Sequence, residues 1–109
     1  MAFIRMVAVY RENGIVNEDW KVVLLCSIDE QFYITDGEWF GYVKDAGHIY
    51  PFVLQKTNVL FYGGDEHSYE TSNLNSRQII VGNYFSVFSS PDEPEHIESA
   101  YEIISVYNF

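Results

Sequence analysis

Basic residues are scarce in this chain of 109 amino acids: six Lys and Arg stand against sixteen Asp and Glu, for a net charge of −10. A nucleic-acid backbone is bound by clustered cations, so no nucleic-acid partner is expected. An anionic membrane surface is disfavoured for the same reason. The one cysteine, Cys26, excludes an internal disulfide framework and a zinc site built from cysteines alone. No window approaches 18 consecutive apolar residues, which excludes a spanning helix. There is also no repeat period, low-complexity tract or linker, so residues 1–109 are expected to form one domain.

What is abundant is apolar and aromatic. Hydrophobic residues make up 48% and aromatics 17%, with nine Tyr, eight Phe and two Trp. That balance predicts a packed core rather than disorder. The apolar residues fall in short runs rich in Val, Ile, Phe and Tyr, separated by Gly, Asn, Asp and Pro, which is the signature of strands and turns. Phe3 to Tyr10 reads as a strand, followed by an Asn13-Gly14 turn. Lys21 to Ile28 is the next run. A helix opening at Asn17 is the alternative there, but Val22-Val23-Leu24-Leu25 is too branched and too short to favour it.

Phe32 to Thr35 and Glu38 to Lys44 flank Asp36-Gly37 and together predict a hairpin over residues 31–44. Ile49 to Leu54 reads as a strand that Pro51 confines to an edge or a bulge. Asn58 to Tyr62 ends at a Gly63-Gly64 turn, and polar residues 65–76 read as a surface loop with room for one helical turn. Arg77 to Phe88 reads as one long strand bent at Gly82. Ser89 to Glu98 is a polar loop, and Tyr101 to Tyr107 is the last strand. The prediction is an all-β domain, a small antiparallel barrel or sandwich of about seven strands, with at most one short helix. The first strand is apolar on both faces, so its outer face needs a cover, and a homodimer formed through a sheet face is one way to supply it.

Few residues are arranged for chemistry. Cys26 lies in an apolar run with no base or cation beside it in sequence, as expected of a buried structural thiol. His48, His67 and His96 show no spacing that places two metal ligands on one face, so neither a metal site nor any other cofactor is predicted. The adjacent acid pairs, such as Asp29/Glu30, point to opposite faces of a strand and cannot act as a catalytic dyad. Gly63-Gly64 lacks the downstream Gly, Lys and Ser/Thr of a phosphate loop, and there is no Gly-x-Ser-x-Gly elbow. An enzyme is therefore the least favoured class, and no catalytic residue is assigned.

The aromatic residues of the 31–44 hairpin carry the strongest functional signal. Trp39, Tyr42 and Tyr33, with the acids Glu38 and Asp36 beside them, are the candidate binding residues, because Trp and Tyr add contact area at low entropy cost. With the acidic charge, they predict a non-catalytic binding protein that recognises a basic protein partner. Bacterial immunity proteins, antitoxins and phage-borne inhibitors share this size and charge, although no motif ties the chain to any of them. The alternative is a barrel or dimer that binds a small apolar or cationic molecule. One free thiol, and an N-terminal run broken by Arg5 with no cleavage site after it, lead to the cytoplasm as the expected compartment.

Overall fold

The computed structural model describes residues 2–12, 14–63, 69–90 and 97–109. Eight antiparallel strands close into a barrel in simple sequence order. They are β1 (Ala2–Glu12), β2 (Ile15–Ile28), β3 (Trp39–Asp45), β4 (His48–Leu54), β5 (Val59–Phe61), β6 (Tyr69–Ser72), β7 (Tyr84–Phe88) and β8 (Glu98–Asn108). Each strand pairs with its neighbours in the chain, and β8 returns to β1 with Ile4 opposite Asn108 and Tyr10 opposite Tyr101. Closure removes free sheet edges, which suits a chain of short apolar strands.

Alternation decides what lies inside. On β1, Ile4, Met6 and Ala8 are fully buried, as are Val22 and Leu24 on β2, with Phe85 on β7 and Ile103 on β8 nearly or fully so. These side chains fill the barrel, as expected for one of eight strands. Gly41 on β3 is part of the same device. A Cβ there would lie 2.2 Å from the Val23 carbonyl oxygen and 2.9 Å from the Phe52 ring, so only glycine lets the Phe52 ring lie against the strand.

One end of the barrel is closed by chain. A 3-10 turn (Leu74–Ser76) and the segment 77–83 cross beneath it, with Leu74 and Ile79 buried in the core. Ile79 N donates to the Phe32 carbonyl at 2.8 Å, and the Gln78 side-chain amide to the Gln31 carbonyl at 3.0 Å. Asn75 N donates to Asn58 Oδ1 at 2.7 Å, tying the floor to the β4–β5 turn.

Three expectations from the sequence need correction. Residues 31–44 do not form a hairpin. Asp29 Oδ1 accepts from the backbone N–H of Gln31 and of Tyr33, Phe32 takes φ 70°, and only Ile34 makes a bridge, to Ile28. β3 pairs instead with β4 around Ala46-Gly47, at φ 48° and 88°, because seven residues of β4 offer a longer ladder than Phe32 to Thr35 can. Arg77 to Phe88 is not one bent strand either: Asn83 N donates to the Ile80 carbonyl in a turn with Gly82 at φ 97°, and only Tyr84–Phe88 is extended. Within the polar loop, Tyr69–Ser72 is a strand, because β5 and β7 supply its backbone partners from both sides.

Other readings stand. Residues 15–28 are strand throughout, not helix. Pro51 lies where β4 has no partner on its β5 side among the described residues, since only Val53 and Leu54 pair with β5. Asn13, Gly64 and most of the Ser89 to Glu98 loop lie outside the described residues.

Candidate functional site

The predicted binding residues do not share one surface. Along β3, Trp39 has the parity of Gly41 and Val43 and packs against the core, whereas Tyr42 has the parity of the exposed Phe40. A separation of three residues puts two side chains on opposite faces of a strand. Trp39 is held near the closed end: its indole N–H donates to the Thr35 carbonyl at 3.0 Å, and its ring meets Phe3 edge-on at 6.3 Å. Tyr33 is half-buried in the Asp29 turn. Glu38 is exposed beside Trp39 and, with Phe3, Leu25, Phe40 and Phe109, borders a shallow apolar depression. Asp36 borders a separate polar crevice with Lys56 and Asn75.

The opposite end of the barrel holds a different site. There a half-open cavity of about 320 Å³ is lined by Trp20 from β2, Val43 and Asp45 from β3, Tyr50 from β4, Tyr62 after β5, Glu70 from β6, Val87 from β7, and Ser99 and Tyr101 from β8. It exists because β5, β6 and β7 are three to five residues long while β2 and β8 run to fourteen and eleven. Core side chains fill the barrel only as far as the short strands reach. Mouths of small barrels are common ligand sites, and this volume is at the lower end of the usual range.

Each inner aromatic wall is backed by another ring. Trp20 is stacked on Tyr10 at 4.8 Å, Tyr101 on Phe85 at 5.4 Å, and Tyr62 meets Phe52 edge-on at 6.2 Å. Tyr62 also donates its hydroxyl hydrogen to Glu70 Oε1 at 2.5 Å. Burial pushes the Tyr62 phenol well above the usual tyrosine range, and the Glu70 carboxylate raises it further. Tyr101 is raised as well, first by burial and then by the charges of Glu70 and Asp45, against a lowering hydrogen bond from Trp20. Both phenols are therefore protonated at any physiological pH. Asp45 makes no ion pair among the described residues, where Arg11–Glu102 on the outer face is the one salt bridge.

Among the described residues, neither Cys26 nor His48 lines this cavity. Cys26 is buried in the core, and the lack of water around it pushes its thiol up to about 12. His48 is exposed at the start of β4, while His67 and His96 lie outside the described residues. Among the described residues no three His, Cys, Asp or Glu side chains gather as metal ligands. Among the described residues no helix is long and apolar enough to cross a membrane. No protein-family model, characterised protein or solved structure matches the chain.

Sequence reasoning missed this cavity for a geometric reason. Its residues are spread from position 20 to position 101, and none belongs to a short motif. The nearest legible signal was the surplus of tyrosine.

Proposed function

We propose that the protein is a non-catalytic binding protein whose open barrel end receives a small ligand. The observation that carries this reading is the cavity itself, walled by side chains from six strands and by aromatic rings already fixed in place. Preformed walls lower the ordering cost of binding. A binding role suits the site better than catalysis, because its two buried phenols are held protonated and most of its described lining is aromatic or aliphatic. A single free thiol is in keeping with the cytoplasm.

The test is a thermal-shift screen with small apolar and cationic metabolites. A saturable rise in Tm, abolished by filling the cavity with Ser99→Trp, supports the reading. A Tm unmoved by every compound at millimolar concentration overturns it.

A second reading rests on the outer surface. Tyr107, Arg5, Leu25, Phe40, Val53 and Phe61 are successive cross-strand partners from β8 through β1 to β5, forming one outward row. Phe40 is 64% exposed and Tyr107 63%. A large exposed aromatic row on a chain of net charge −10 is suited to a basic protein partner or to a second copy. Stoichiometric capture of one basic protein, weakened by salt and lost with Phe40→Asp, supports the first of these. Dimerisation that Phe40→Asp abolishes supports the second, and a monomer whose captures ignore both changes removes this reading.

A further inference from the structure

We infer that the ligand of the open-end cavity carries an organic cation, an alkylated ammonium group on a short chain. This inference rests on the cavity's being a ligand site and names the class of ligand. Its first support is the lining. Trp20, Tyr50, Tyr62 and Tyr101 present aromatic rings, and Asp45 and Glu70 present carboxylates. None of the described lining residues is a Lys, Arg or His. Aromatic rings attract cations through their quadrupoles, and the attraction grows where water is partly excluded.

The second support is the kind of cation the walls select. Calcium and magnesium ions take six or more oxygen ligands in place of their water, and among the described lining residues only Asp45 and Glu70 are charged oxygen donors, while Val43, Val87 and Trp20 supply no oxygen from their side chains. An alkylated ammonium is weakly hydrated, so apolar and aromatic surfaces replace its water at little cost. Its methyl groups fit against Val43 and Val87 while Asp45 balances the charge. An anion would meet the Asp45 and Glu70 carboxylates among the described lining residues. The overall charge of −10 adds a field that draws cations toward the barrel.

The third support is rigidity. The rings of Trp20, Tyr62 and Tyr101 are fixed by Tyr10, Phe52 and Phe85 behind them, so the box is built before ligand arrives. Tyr50, 47% exposed beside the His48 ring at 6.4 Å, is the outermost aromatic wall.

The experiment titrates the whole chain with choline, tetramethylammonium and 3,3-dimethyl-1-butanol, the neutral isostere of choline. The readout is Trp20 fluorescence in a Trp39→Phe background, with NMR shifts as a second measure. Trp39 is at the closed end of the barrel, roughly 20 Å from Asp45 along β3 by strand rise, so Trp20 alone reports the cavity. The expected result is that choline binds at least about tenfold more tightly than the neutral isostere. Asp45→Asn should weaken choline by about fivefold or more and leave the isostere unchanged. Tyr50→Leu, a surface change with little risk to folding, should also weaken choline selectively.

Equal binding of choline and the isostere, or indifference to both Asp45→Asn and Tyr50→Leu, overturns the cation inference and leaves the ligand site standing. Failure of all three probes, together with a flat metabolite screen, overturns both. A peptide bearing trimethyl-lysine separates the two sources of such a group. If it binds more than about tenfold tighter than choline, the cation belongs to a protein side chain; if choline matches it, to a free small molecule.

Discussion

Tyr62, just after β5, donates a hydrogen bond at 2.5 Å to Glu70 on the neighbouring strand β6, at the mouth of the barrel. The same mouth holds Tyr101, and the burial that raises both phenols links the site to stability at alkaline pH. A group whose proton is held more tightly in the folded state contributes stability that is complete below its unfolded pKa. That stability falls as pH rises toward the folded value. For Cys26 the fall begins near 9.0 and runs to about 12; for the two tyrosines it begins near 10.0 and continues beyond the Cys26 value. Denaturation midpoints should therefore be flat from pH 7 to about 9 and drop steeply above about 10. Phenolate absorbance from two tyrosines should appear only with unfolding, and Tyr62→Phe should flatten part of the drop.

Gly41→Ala tests the close approach of β3 to β2. The added Cβ would meet backbone at Val23, which cannot move aside as a flexible side chain can. A loss of about 3 kcal/mol or more in urea unfolding is expected, in the range of severe overpacking. A loss below about 1 kcal/mol would show that the sheet relaxes there.

Ile79→Ala tests the plug at the closed end. Ile79 is 1% exposed and sits under the core although it lies in no strand or helix. About 2–5 kcal/mol should be lost, as for other buried Ile truncations. The cavity at the far end should bind its probes unchanged in protein that remains folded.

Cys26 should be silent to thiol reagents. It is 2% exposed with a thiol raised to about 12, so almost no thiolate forms at neutral pH. Labelling by a disulfide reagent should be limited by opening of the barrel, and should become rapid in denaturant. Fast labelling of the native protein would contradict the placement of β2.

Where the sequence was read correctly, the signal was local and repeated. Ile4, Met6 and Ala8 alternate with Phe3, Arg5 and Val7, and the former set is buried in the barrel. The β-branched run at Val22-Val23 favoured strand over helix, and Pro51 marked a stretch of β4 without a second partner among the described residues. The reading failed where two local signals competed. Asp36-Gly37 has the composition of a hairpin turn, yet Asp29, seven residues earlier, folds the chain first by accepting two backbone hydrogen bonds. The true hairpin turns at Ala46-Gly47, where a non-glycine residue takes a positive φ that composition does not advertise.

The sequence by itself therefore determined the fold class, the strand faces, the acidic charge and the burial of Cys26. All of these depend on periodicity or composition within a few residues. That Trp39 and Tyr42 part company already follows from their separation of three along one strand, whereas only the tertiary structure decided that Trp20, Asp45, Tyr62, Glu70 and Tyr101 meet. Side-chain alternation within a strand is local, whereas a barrel mouth depends on closure and on the relative lengths of all eight strands. That information belongs to the pairing of distant residues such as Tyr10 with Tyr101, and no short window of the chain contains it.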